Sequence, residues 1–448
     1  MPTIAIVPSD VTSKRMLARR LAARLTEAGH RVVMLVDDGD PDDAPDGVEW
    51  RRVPIRCSTA GGGRPWRPIA LWRASRAAAA RLETAALSEV LVEVAPDLLI
   101  VDIEEWEALI LSLAMPHRPP LAVLCSFFEV WPIAGLGPND PGPPRGLVDR
   151  AQGTLRWPWM WLRMRAHDVK QLLVGGEIDR IATSRALARR LGVRRQLTSR
   201  QWLHPFAPRE LPMLVCNALE LDIPHDPRPG VVHIGSLLEP ADADGLASID
   251  DRELAAVIER ATAERRPIVL CAFGTLATGE RAALMQRLAG VARLRPEYQF
   301  VIGSTVEAHA DEFSALSNVH VGGWIPQRAV LAFAAAAIVH TGNATLHECV
   351  AARVPMLVHP LGVNDQWRNA ARVVRHGIGS IDDGDHDDAA TLAARLDAVI
   401  ADEAMRERID ALADCVTRYE RDGVAVSAVE DLLRESGGHL SVAARSRP

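Results

Sequence analysis

The sequence predicts an α/β protein made of two Rossmann-like, doubly wound domains. Three observations carry that expectation. Short apolar runs alternate with helical patterns from the first residues onward. A proline-rich break, LDIPHDPRPG at Leu221–Gly230, falls near the middle of the 448-residue chain. A second alternating series begins beyond it, and strands alternating with helices at this spacing form parallel sheets. The length suits two or three domains of ordinary size.

The opening forty residues read as strand, helix, strand. Ile4–Val7 is a short buried strand, and Thr12 or Ser13 is placed to cap the helix that follows. Met16, Leu17, Leu21 and Leu25 recur at helical spacing, and Gly29 supplies the left-handed residue that ends a helix. Arg31–Val36, Leu98–Asp102, Leu121–Phe127 and Ile181–Ser184 continue the strand series. After the break, VVHIGSLLEPADADG reads as a linker with the first strand of the second half. The later strands are expected at Pro267–Phe273, Tyr298–Gly303, His320–Trp324, Ala337–Gly342 and Pro355–Pro360. These readings divide the chain into residues 1–225, 226–410, a helical segment 411–437 and a frayed tail 438–448.

Apolar residues make up 48% of the chain and charged residues 24%, which is the composition of a globular protein. The six cysteines (Cys57, Cys125, Cys216, Cys271, Cys349, Cys415) are scattered and form no CxxC pair. They point to a reducing, cytoplasmic setting and to neither a zinc site nor a disulfide framework. No tight cluster of metal-ligand residues is apparent, so no metal is expected. MPTIAIVPSD reads as a strand rather than a leader. No window approaches the ~18 apolar residues of a membrane span.

Residues 324–366 are the densest in chemistry. They contain WIPQ at Trp324–Gln327, HTGNATLHE at His340–Glu348, Pro355, Pro360, and NDQ at Asn364–Gln366. An indole at Trp324 can stack on a flat base. His340 and the amides from Gly342 through Asn343 and Ala344 to Thr345 can face a diphosphate at a helix start. Glu348 can accept two ribose hydroxyls, and Asp365 with Gln366 can bind the hydroxyls of a sugar. Phe273-Gly274-Thr275 follows a strand and makes a short glycine turn.

This stretch resembles the donor-binding signature of the family-one glycosyltransferases, which include plant secondary-product, mammalian glucuronosyl and bacterial macrolide enzymes. The landmarks W-x-P-Q, H-x-G-x-x-S/T-x-x-E, P and D/E-Q are met by Trp324, Pro326, Gln327, His340, Gly342, Thr345, Glu348, Pro355, Pro360, Asp365 and Gln366. The resemblance implies the GT-B architecture. Two domains would face a cleft, with the acceptor on the first, a UDP- or dTDP-sugar on the second, and the C-terminal helices packed back across the cleft. It implies that Gly274 and Thr275 lie near the donor phosphate. It implies no cofactor beyond the nucleotide-sugar co-substrate, and no metal. Two departures stand out. Ala344 replaces the usual Gly or Asn, and the loop from Pro360 to Asp365 is one residue longer, which leaves the sugar open.

Relatives also carry a catalytic His in the loop after the first strand, oriented by an Asp from a later strand end. Here SDVTSKRML contains no His, and Lys14 falls at that position. Several readings stay open. A carboxylate is the base, either Asp10 or one of Asp102, Glu104, Glu105 and Glu107, with Asp102 directly after LLIV the better placed. Lys14 itself acts, which requires strong depression from a reference pKa of ~10.4. The acceptor needs little base. Or the chain binds donor without turning it over. An epimerase or hydrolase on the same fold is a further class, against which the transfer-type motifs argue.

Nine of the eleven tryptophans lie in the first half, and Phe127, Phe128 and Trp131 follow a strand toward the expected acceptor side. A large apolar acceptor pocket is expected. Between Asp140 and Arg200 stand 13 Lys and Arg against 5 acids, a segment of +8 in a chain of −7. Within it, RWPWMWLRMRAH places Arg156, Trp157, Trp159, Trp161 and Arg163 together. Tryptophan with arginine suits an anionic lipid surface, so peripheral contact with the inner face of a membrane is expected. The competing reading is a core helix with solvated arginines. The acidic chain carries no nucleic-acid reader motif.

Overall fold

The computed structural model describes residues 1–37, 45–56, 68–82, 84–128, 137, 146–174, 180–198, 206–208, 210–238, 246, 249–274, 281–303, 310–361 and 365–445. The first domain is a seven-stranded parallel sheet. Its strands are β1 (Thr3–Val7), β2 (Arg31–Val36), β3 (Glu49–Arg52), β4 (Leu98–Asp102), β5 (Leu121–Cys125), β8 (Met213–Val215) and β9 (Val231–His233), in the order β3-β2-β1-β4-β5-β8-β9. A small antiparallel ribbon, β6 (Leu197–Thr198) with β7 (Ala207–Pro208), lies outside it. The second domain is a six-stranded parallel sheet of β10 (Ile268–Ala272), β11 (Gln299–Gly303), β12 (Val319–Gly322), β13 (Ala334–Val339), β14 (Met356–Val358) and β15 (Gly379–Ile381). Its order is β12-β11-β10-β13-β14-β15.

The strands are apolar on both faces because helices cover both. Ala5 and Val7 of β1 enter one core, while Ile4 and Ile6 enter the core on the opposite face. In β10, Ile268 and Leu270 face one side, and Val269 and Cys271 the other. This two-residue alternation follows from the pleat, and burial on both faces is what parallel sheets require.

In each sheet the chain reverses direction across one strand pair, β1 with β4 and β10 with β13. Loops at the carboxyl ends of such a pair diverge and open a crevice, which is where doubly wound sheets bind ligands.

Four sequence expectations are corrected. Ile181–Ser184 is not a strand but the start of the helix Arg180–Arg190, whose buried residues Thr183, Ser184, Leu187 and Ala188 keep a helical period; a short apolar run does not separate the two by itself. Val231–His233, expected to open the second domain, pairs with β8 as the edge of the first sheet, so the proline-rich break is a crossover within the first domain. Val11 rather than Thr12 or Ser13 is the N-cap residue, and no side chain caps that helix. The last helix, Val424–Arg445, extends through residues expected as a tail. Its Ala425, Ala428, Val429 and Leu432 join the core beneath β1 and β4 of the first domain.

Candidate active site at the two switch points

The second-domain crevice is built around His340, which directly follows β13. Its Nδ1–H donates to the carbonyl of Ala272 at 3.2 Å, because a carbonyl only accepts. That bond turns the ring so that Nε2 lies between two glycines. A β-carbon at Gly342 would sit 2.6 Å from Nε2, and one at Gly274 would sit 3.0 Å from it. Gly274 also has φ +64°, a conformation glycine accepts freely. Both glycines are therefore needed for this ring position.

Thr341 turns the chain from His340 into the helix Asn343–Ala351 with φ +60°, uncommon for a β-branched residue. Its one hydroxyl proton is shared between two acceptors, the Gln366 carbonyl at 2.9 Å and the His340 carbonyl at 2.6 Å, and Asn369 Nδ2 donates to the Thr341 carbonyl at 2.9 Å. The turn aims the first amides of the helix and the imidazole at the same crevice, the arrangement suited to an anion. Gly342 is the N-cap, Ala344 is partly exposed, and Thr345 is buried in the first turn.

Glu348, on that helix, accepts from Gln327 Nε2 at 2.5 Å. Burial raises its pKa, while Gln327 and the charges of Arg20 and Arg328 pull it down. Pro326 is the N-cap of the short helix Gln327–Leu331. Ile325 packs against Gly303 and Gly322, anchoring this loop, and Trp324 stands out from it, 78% exposed. Gln366 is buried, and its Oε1 accepts from the Leu361 amide at 2.7 Å, closing the loop before it. Asp365 accepts from Asn369 at 2.9 Å. Thr275 lies outside the described residues.

Asn343, expected at the donor, instead crosses between the domains. Its Nδ2 donates to the Ser126 carbonyl at 2.6 Å and to Asn217 Oδ1 at 3.2 Å. Around it lies an interdomain contact that the sequence did not reveal. Asn217 donates to the Phe127 carbonyl at 2.7 Å. His347 stacks on Phe128 with centroids 5.7 Å apart, and burial pushes its pKa down to about 4. Arg372 lies 4.2 Å above the Phe128 ring and pairs with Asp222, both fully buried. Burial pushes Asp222 up, but Arg372, His225 and Arg368 outweigh it and hold its pKa below the ordinary carboxylate range. Phe127 and Phe128, expected on an open acceptor wall, are thus buried, Phe128 at the domain contact and Phe127 in the first core. Trp131 lies outside the described residues.

The first-domain crevice holds a charge network at the ends of β1 and β4. Lys14 Nζ lies 2.6 Å from Glu104 and 4.0 Å from the Phe127 ring centroid. Both contacts, the carboxylate and the ring face, suit an ammonium. Asp10 pairs with Arg15 at 3.0 Å and with Arg56. Glu105 is held by Arg56 at 2.8 Å, and Glu107 by Arg180 at 2.7 Å. Asp102 is wholly buried. One of its oxygens accepts from the Glu104 amide at 2.9 Å, and the other has no partner. Burial, reinforced by Glu104, raises its pKa to about 7. Asp102 therefore sits behind the crevice. Glu104 lies at its surface, 22% exposed, with Ser9 Oγ 3.3 Å away.

Residues 289–420 match the EryCIII-like C-terminal domain, described as that of erythromycin biosynthesis protein CIII-like proteins. The matched stretch holds β11 to β15 of the second domain. Over 97% of its length the chain also superposes on the glycosyltransferase of kitacinnamycin (TM-score 0.67, 21% identical, 99% of that chain covered). The calicheamicin glycosyltransferase CalG4 gives a TM-score of 0.62 at 17% identity, with 97% and 99% of the two chains covered. A structure titled LpCGTa in complex with UDP gives 0.60 at 18% identity over the same shares. The fold is the GT-B fold of the family-one glycosyltransferases. In sequence, ugt-48 of Caenorhabditis elegans, which carries the name UDP-glucuronosyltransferase, is 33% identical over 159 residues, 34% of this chain. The match spans 28% of that relative's length. The second domain brings Trp324, His340, Glu348 and Gln366 to the carboxyl ends of β12 and β13 and the helix starts that follow. The first domain faces them with acids and arginines, with Lys14 where the family's histidine falls.

Proposed function

We propose that the protein is an inverting glycosyltransferase that moves a sugar from a UDP- or dTDP-sugar to a hydrophobic small-molecule acceptor. The observation that carries this reading is His340, seated between Gly274 and Gly342 beside a helix N-terminus at a switch point. On this reading Trp324 stacks on the base and Glu348, steadied by Gln327, takes the ribose hydroxyls. His340, Thr345 and the helix amides receive the diphosphate, and Asp365 with Gln366 borders the sugar. The positive helix end, and the Nε2–H of a His340 imidazolium whose Nδ1–H stays on Ala272, stabilise charge that grows as the bond from the sugar to the diphosphate breaks.

On the acceptor side Glu104 takes the hydroxyl proton as oxygen attacks the anomeric carbon from the opposite face. The new C–O bond forms as the nucleoside diphosphate leaves, so configuration inverts. Glu104 is favoured over Asp102 by its exposure, and over Asp10, Glu105 and Glu107 because those are bound by arginines. Lys14 holds Glu104 in place.

A second reading rests on that same network. Every crevice-facing acid has a cationic partner, which suits a homologue that binds donor without turning it over. Incubation with UDP-glucose and dTDP-glucose, with and without a pool of hydrophobic acceptors, separates the two. Acceptor-dependent nucleotide release with a mass gain of one hexose supports transfer. Nucleotide binding without release supports the silent homologue.

A further inference from the structure

The helix Leu147–Val174 is apolar on two opposite faces. Gly153 and Trp157 are buried on the inner one, with Met160 and Trp161 partly buried beside them. Trp157 lies under Arg368 at 5.6 Å, and Arg368 belongs to the helix Gln366–His376 that begins at the donor crevice. The inner face therefore seats this helix at the edge of the cleft. The outer face carries Val148, Leu155, Trp159 and Leu162, each between 61% and 69% exposed. At 100° per residue these four fall within one narrow stripe, on the side opposite Trp157. Arg156 and Arg163, both exposed, run along one border of the stripe. Soluble proteins rarely leave so continuous an apolar strip in water.

We propose that this stripe docks the protein on an anionic lipid leaflet, and that the acceptor reaches the cleft from that membrane. The second clause rests on the glycosyltransferase reading; the first does not. Charge complementarity selects this partner. The helix lies in the segment of +8 within a chain of −7; a surface of anionic headgroups attracts that segment, whereas a second copy meeting it stripe to stripe brings the same positive charge and is repelled. An exposed tryptophan flanked by arginines matches the interfacial layer, where the ring sits among headgroups and the guanidinium groups meet phosphates. Trp157, expected in the contact from its sequence neighbours, faces inward and takes no part. Trp161 is partly buried on that same inner side. No helix among the described residues is long and apolar enough to cross a membrane, so the contact is one of lying on the surface.

Flotation of the full-length protein with phosphatidylcholine vesicles, with and without phosphatidylglycerol, tests the docking. The protein is expected to float with the anionic vesicles at low salt, and to be released by salt near ~1 M, where the screening length falls to ~3 Å. The double variant Leu155→Asp/Trp159→Asp is expected to lower the bound fraction at least tenfold, and Arg156→Glu/Arg163→Glu to lower it less. Both variants change exposed positions and should keep the wild-type melting temperature and UDP affinity. Three outcomes overturn the proposal: no flotation of the wild type, flotation undiminished in the double variant, or a dimer in light scattering that the double variant abolishes. Loss of UDP binding in the wild type would instead strike the transfer reading and leave the docking result standing.

Discussion

The two switch points share one topology and differ in chemistry. At β10/β13 the crevice is shaped by absence of bulk. Two glycines and a left-handed threonine clear a position for one imidazole and a helix end. At β1/β4 the crevice is filled with charge. Lys14, Arg15, Arg56 and Arg180 face Asp10, Glu104, Glu105 and Glu107, with Asp102 buried behind them. The fold determines where a ligand can approach, and the side chains determine what it meets there. The first crevice is nearly charge-balanced if Asp102 holds its proton, which its raised pKa favours.

The sharpest test of the contrast is Glu104→Gln. If this carboxylate takes the acceptor proton, transfer falls by ~10²–10⁴-fold while UDP affinity in calorimetry stays unchanged. An unchanged rate would move the base elsewhere. His340→Ala should act from the other side, lowering the turnover rate by ~10²–10³-fold and weakening UDP as well. A variant that keeps full UDP affinity would break the assignment of the glycine-framed imidazole to the diphosphate.

Arg372→Met addresses what holds the crevices together. It leaves Asp222 buried without its partner, and urea unfolding should show a loss of ~3–5 kcal/mol. Adding Asp222→Leu should restore much of it, whereas a persistent loss would place the effect in packing against Phe128.

Asp102→Asn is the smallest test and probes the buried side of the charge network. The folded pKa of about 7 lies above the ordinary carboxylate value of 3.8. The folded state thus keeps a proton that the unfolded chain has released. The wild type loses stability as pH rises from about 4 to about 7, and the penalty is then constant. The variant lacks this penalty and should gain on the wild type between pH 5 and pH 8 by on the order of 2 kcal/mol. Parallel melting curves at both pH values would show that the carboxyl is not so buried in solution.

The second-domain crevice was legible in the sequence because its parts lie close together along the chain. Trp324 to Gln366 spans two strand ends and three helix starts, and each residue type names its chemistry. The acid network was not legible, because its partners lie far apart along the chain. Arg56 is 49 residues from Glu105, and Arg180 is 73 from Glu107. Lys14 was found by its position, but its ion pair with Glu104 depends on how the helix after β1 meets the turn after β4. Phe127 and Phe128 were read as reaching the cleft because they follow a strand; Phe127 is instead buried in the first core, and Phe128 by a domain contact that no local pattern encodes. The stripe on Leu147–Val174 was half legible. Its tryptophan and arginine content was plain, yet Trp157 points in and Trp159 out, a choice set by what the helix packs against.

The helix Val424–Arg445 makes the first domain discontinuous. One face of its core is completed by residues from the far end of the chain, added after the second domain is made. A fragment ending at the proline-rich break would leave Leu17, Leu21 and their neighbours bare, and would be prone to aggregate. During synthesis the second domain can close on itself as it emerges, while the first must wait for the final helix to seal it.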